Sequence, residues 1–198
     1  PYLYGFPKHR VSFINSTTGF LCGGKYDIVG AVWRTTNAGV NWSTYCLTPE
    51  PLFDIKVINE NKIISSGGDF EFGAITTTTW NNTASWKYLN IGLFGVARDL
   101  AFRTEKEVWM PLSFAQAVAV HLDSCNQDIP WISVPAPDSA AVYAAKFLSP
   151  SLGFAFGSYG AILKYNTAVI GITPGSTIVP NRSSLGQNYP NPFNPSTN

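Results

Sequence analysis

The chain has 198 residues, 45% hydrophobic and only 13% charged, which supplies material for a buried core and excludes disorder over most of its length. Its net charge of +1, from 13 basic and 12 acidic side chains, leaves no basic stripe for nucleic acid or anionic lipid. No apolar run reaches the roughly 18 residues that a membrane-spanning helix needs.

An aromatic share of 14%, with 17 glycines and 14 prolines, predicts many short strands joined by tight turns. The chain opens on Pro1 without an export signal, which predicts a natural start further upstream, with residues 1 to 10 closing a preceding unit. Strands are then expected at Val11 to Ile14, Gly19 to Gly23, Ala31 to Thr35 and Asn41 to Tyr45. A second set follows at Leu52 to Ile58, Lys62 to Ser66, Ala74 to Thr78 and Ser85 to Leu89. The third set is Val96 to Phe102, Glu107 to Leu112, Ala117 to Leu122 and Trp131 to Val134. The last is Val142 to Phe147, Gly153 to Gly157 and Ala161 to Tyr165, with no fourth member. Nowhere is a period of 3.6 sustained, so helices are expected to be nearly absent.

These sets are copies of one unit. Phe13, Val57, Phe102 and Phe147 recur at steps of 44, 45 and 45, and Trp42, Trp86 and Trp131 follow at steps of 44 and 45. Four short strands in about 45 residues is the size of a propeller blade, whose apolar faces are hidden only by stacking on neighbouring blades. The expected fold is therefore all-β: a β-propeller of four-stranded antiparallel blades, an incomplete arc of about four, with an extended C-terminal tail. Blades occupy residues 1–167, a linker 168–184, and the start of a further module 185–198. Phe13, Phe102 and Phe147 are expected to fill the layers between blades.

Before each tryptophan lies a related octamer: Thr35, Asn37, Gly39 and Trp42 in the first copy, Thr79, Asn81 and Trp86 in the second, Ser124, Asn126 and Trp131 in the third. An Asx side chain accepts backbone N–H groups within its own turn, and Gly39 is suited to positive φ. This pattern resembles the Asp-box of bacterial-neuraminidase-repeat propellers, with asparagine for the aspartate. The resemblance implies a structural turn motif between the third and fourth strands, away from the axial site. The phrase from Phe13 to Gly24, followed by Trp33 to Trp42, also resembles the photosystem II assembly and stability factor group, which implies a shape rather than a photosynthetic task. The stretch Gln187 to Thr197 resembles the opening of type IX secretion C-terminal sorting domains. That resemblance implies a secreted or cell-surface protein handed to the type IX machinery through its tail.

Catalytic groups are not expected. Asp54, Asp69, Glu71, Asp99, Glu105, Glu107, Asp123, Asp128 and Asp138 read as scattered, with no pair recurring at one register, and His9 and His121 read as surface positions without triad companions. No cofactor or metal is expected; Asn in the boxes is a poor ligand for a hard cation. Arg10 and Arg98, near the start of first strands, are the candidates for anion contact at the axis. Cys22, Cys46 and Cys125 are too few and too irregular for a disulfide framework. Cys46 is placed just beyond a fourth strand, too far from Cys22 for a bridge. The expected function is a non-catalytic secreted module binding a protein or polysaccharide. The alternative is a sialidase-like glycosidase whose catalytic groups lie partly on further blades.

Overall fold

Strands of two to eight residues, joined by tight turns, fold into four antiparallel sheets taken in chain order. The computed structural model describes residues 5–59, 61–79, 86–123 and 128–166, which belong to one unit, Pro1–Asn166. The first sheet is β1 (Lys8–Phe13), β2 (Gly19–Lys25), β3 (Val29–Thr35) and β4 (Ser43–Thr48). The second is β5 (Leu52–Asn59), β6 (Lys62–Asp69), β7 (Gly73–Thr79) and β8 (Lys87–Asn90). In the third, β11 (Val108–Ser113), β12 (Ala117–His121) and β13 (Ile132–Pro135) follow a first strand split into β9 (Val96–Ala97) and β10 (Ala101–Phe102). The fourth has three strands, β14 (Val142–Ser149), β15 (Leu152–Gly157) and β16 (Ile162–Lys164). Among the described residues the helical pieces are two three-residue 3-10 turns, Pro137–Ser139 and Ser158–Gly160.

The second sheet shows how the core is built. Successive side chains of a strand point to opposite faces. Ile63 and Ile75 accordingly join Phe20, Cys22 and Val32 of the first sheet, while Ile64 and Ala74 join Val108, Met110 and Ala119 of the third. Every residue of β6 and β7 is buried as a result. Each isoleucine so covered contributes about 1.5–3 kcal/mol relative to exposure. Trp109 of the third sheet meets Phe147 and Tyr165 of the fourth, edge to face, with ring centroids 5.6 Å away in both cases. Sheets stacked through alternate residues of both faces are the blades of a β-propeller.

Three expectations need correction. Phe102 and Phe147 do pack between sheets, but Phe13 is 45% exposed, because the described residues put no sheet against that side of β1. Phe13 instead lies across from Gly19 within its own sheet, as Phe147 does from Gly153. A Cβ on either glycine would sit 2.8 or 2.5 Å from the ring, so glycine is what lets the ring lie flat on the neighbouring strand. The expected strand Val96 to Phe102 is broken at residues 98–100, where the Leu100 N–H donates to Asp54 of the second sheet and Asp99 accepts from Ala145 of the fourth. Cys46 lies inside β4 rather than beyond it; β3 still separates it from Cys22, through Val32, and both thiols are free.

Candidate functional site

Each first strand carries an irregularity at the same place. In β1 the pairing jumps from Lys8 to Arg10, in β5 from Leu52 to Asp54, and in β14 from Val142 to Ala144. The residues skipped are His9, Phe53 and Tyr143. In the third sheet the break between β9 and β10 puts Arg98 in the equivalent place. Positions 9, 53, 98 and 143 follow the repeat at steps of 44, 45 and 45. A bulge leaves one residue unpaired and re-aims its side chain out of the strand's alternation. The four blades use it to bring a ring or a guanidinium to one end of the stack.

The turns between second and third strands open at that same end, since antiparallel neighbours alternate direction. Each carries an aromatic residue: Tyr26, Phe70, Phe114 and Tyr159, at steps of 44, 44 and 45. Their exposures are 37%, 52%, 45% and 105%, so burial does not account for the repetition. Phe114 and Tyr159 also hold positive φ, 79° and 56°, a conformation that costs a bulky side chain on the order of 1 kcal/mol or more.

The two rows interlock around Arg98. His9 stacks on Phe53 with centroids 4.7 Å apart, and Tyr26 tilts against Phe53 at 5.7 Å. The Arg98 guanidinium lies 5.1 Å from the Phe53 ring and 5.8 Å from that of Phe114, and its Nη2 donates to the Tyr26 hydroxyl at 3.1 Å. Phe70 packs on Phe114 at 4.5 Å, and Phe114 meets Tyr143 at 6.4 Å. His9 Nδ1 donates to the Leu52 carbonyl at 2.8 Å, which fixes its ring against the second sheet. All four sheets contribute to this face.

Carboxylates lie beneath and beside it. Asp54, fully buried, accepts N–H groups from Ile55 and from Leu100 of the next sheet, each at 2.9 Å, and pairs with Arg10 at 3.1 Å and Lys56 at 2.8 Å. Asp99 repeats the stitch, accepting the Ala145 N–H of the fourth sheet at 2.8 Å. Burial pushes the Asp54 carboxyl up, against the pull of Lys56 and the Leu100 N–H. Beside Tyr26 and Phe70, the ligating oxygens of Asp27, Glu50 and Asp69 lie within 4.8 Å of one another. Burial, and the like charges of Asp69 and Asp27, push the Glu50 carboxyl up. Asp69 spends one oxygen on the N–H groups of Glu71 and Phe72 in its own turn, and Glu50 accepts the Asp27 N–H of the turn between β2 and β3. Three carboxylates would give a hard cation half of the six to eight oxygens that calcium takes.

The opposite end carries the octamers. The Thr35 hydroxyl donates to Asn37 Oδ1 at 3.0 Å and accepts the Gly39 N–H at 2.9 Å, while Asn37 Oδ1 also accepts the Asn41 N–H at 2.9 Å. Gly39 has a φ of 86° and sits against the Trp42 ring. Thr79 ends β7 and Trp86 packs on the cluster of Phe20, Val32 and Ile75 between the first two sheets, whereas Asn81, Ser124 and Asn126 lie outside the described residues. In the third sheet His121 holds the ladder place of Thr35 and Thr79, pairing with Val108 as they pair with Gly19 and Ile63. The strand register thus arrives three residues before the third octamer, because Val108 and His121 are 13 residues apart where Gly19 and Thr35, and Ile63 and Thr79, are 16 apart. His121 is a buried strand end, 4% exposed and edge-on to Trp131 at 5.0 Å, not a surface residue.

Of the two arginines expected at the axis, Arg98 reaches the face and Arg10 is engaged by Asp54. His9 reads from the sequence only as a surface position, and Phe53 and Tyr143 do not stand out at all, because four different residue types at one register show no repeat of identity. Asp54 and Asp99, read as scattered, stand 45 residues apart and do recur at one register.

No protein-family model and no curated protein matches the chain. Solved structures do match in shape. YCF48 bound to D1 peptide shares 19% identity with a TM-score of 0.50, over 84% of this chain and 67% of that one. YCF48 from Cyanidioschyzon merolae shares 18% with a TM-score of 0.55, over 80% of this chain and 50% of the other. A streptogramin B lyase shares 8% with a TM-score of 0.54, over 80% and 54%. The chain thus spans half to two thirds of the length of these proteins. Together with the stacked antiparallel sheets, these likenesses establish the fold, a β-propeller.

Proposed function

We propose that the chain is a non-catalytic binding scaffold that holds a protein partner against the face formed by the bulges and the second-to-third-strand turns. One observation carries this reading: two register positions per blade deliver rings, all but the half-buried Phe53 exposed, and one caged guanidinium to the same end of all four sheets. Large apolar side chains exposed together mark an interaction surface rather than a packing need. The YCF48 structure that holds a D1 peptide supports protein binding by a propeller of this shape. Export to the cell surface is part of the proposal and rests on the stretch Gln187 to Thr197, which lies outside the described residues.

A photo-crosslinking amino acid placed at Phe114, on the proposed face, or at Val40, 78% exposed on the opposite end, tests the reading in the native host. A discrete protein adduct from position 114 and none from position 40 is the expected result. Equal adducts from both positions, or turnover of fluorogenic sialosides by the purified chain, would contradict it.

A further inference from the structure

Resting on that reading, we infer that the face takes an extended polypeptide segment presenting one carboxylate to Arg98 among apolar side chains, and that it rejects polyanionic glycans. The first ground is how the rings are used. Sugar-binding platforms offer flat ring faces to pyranose rings. Here one face of Phe53 is covered by His9, and the Arg98 guanidinium lies over both Phe53 and Phe114. Apart from the His9–Phe53 stack, neighbouring rings meet at 45° to 70°, so edges and crevices rather than platforms are presented. Aliphatic and aromatic side chains fit such crevices; sugar rings do not stack in them.

The second ground is the state of Arg98. It is exposed, held between two rings, and its described hydrogen bond is the one to the Tyr26 hydroxyl. A guanidinium offers five N–H donors in a fixed fork matched to a carboxylate. Caging removes the entropy cost that a free arginine would incur on binding. The third ground is sign. Asp27 follows Tyr26 directly, with Glu50 and Asp69 close by, so negative charge borders the Tyr26–Arg98 pair. A lone carboxylate reaches Arg98 without crossing that border, whereas a chain with one negative charge per sugar meets it along its length.

Fluorescence anisotropy with labelled short Leu/Val-rich peptides, differing only in one central Asp or Asn, tests this beside a labelled polygalacturonate oligomer. The Asp peptide is expected to bind roughly tenfold tighter than the Asn peptide, and the polygalacturonate not at all. Arg98→Gln should erase the difference between the peptides, and Arg98→Lys should restore only part of it, since a point charge lacks the fork. Asp27→Asn should begin to admit polygalacturonate. Equal binding of both peptides, no binding of either, or tight binding of polygalacturonate by the unaltered chain overturns the assignment. Adducts from position 114 surviving such a result would show that a protein still docks there and only its chemistry was misjudged.

Discussion

The two ends of the blades both repeat every 44 or 45 residues, and they repeat for opposite reasons. At the octamer end, Thr35 and Asn37 bond within their own turn and Gly39 supplies the backbone conformation that the turn demands. At the other end, Tyr26, Phe70, Phe114 and Tyr159 recur while exposed, two of them at positive φ. A repeated residue whose partners are local explains itself as structure. A repeated residue that stays in solvent at a conformational cost points outward, to something the molecule meets.

The largest effect should come from the layer under the exposed rings, not from the rings. Asp54→Ala strips the Leu100 N–H of its buried acceptor and leaves Arg10 and Lys56 without their common partner. Chemical denaturation should show a loss of about 2–4 kcal/mol, and Asp54→Asn a smaller one, since an amide oxygen still accepts the N–H. A loss no greater than that of a surface substitution would break the claim that the bulges are stitched from below.

At the octamer end, Asn37→Ala removes the acceptor for the Thr35 hydroxyl and the Asn41 N–H. A cost of about 1 kcal/mol is expected, with no change in binding. The same end should also hold a pH sensitivity. Burial lowers the His121 pKa from 6.5, despite the Ile129 backbone bond and the Asp123 charge. The folded chain therefore binds that proton less readily than the unfolded chain. The stability His121 contributes is full above about pH 6.5 and is lost as pH falls through its lowered folded value. His121→Thr, which copies the residue type of the other two blades, should flatten the fall in melting temperature between neutral pH and about pH 5. An unchanged slope would remove His121 from the account.

Much of the fold was legible because stacking demands the same residue classes at the same register. Phe13, Val57, Phe102 and Phe147, with their tryptophans, expose that period directly. The site was legible only in part. Arg98 stood out by charge, but His9, Phe53 and Tyr143 share with it a backbone irregularity and not a residue type, and a bulge leaves no mark on composition. Asp54 and Asp99 were hidden for another reason. Each accepts a backbone amide of the next sheet, Leu100 or Ala145, and an amide donor leaves no mark on residue type. The third octamer misled because Trp131 keeps the 45-residue step while the paired span from Val108 to His121 is three residues shorter than its counterparts.

The smallest effect on stability and the largest on function should meet in Phe114→Ser. With a photo-crosslinker held at position 26, this variant and Asn37→Ala can be compared for both denaturation midpoint and adduct yield. Phe114→Ser is expected to stay within about 0.5 kcal/mol of the parent while its adduct falls roughly tenfold, and Asn37→Ala to lose stability while keeping its adduct. Full adduct from Phe114→Ser, or a loss that merely tracks its unfolding, would contradict the assignment of this face to binding.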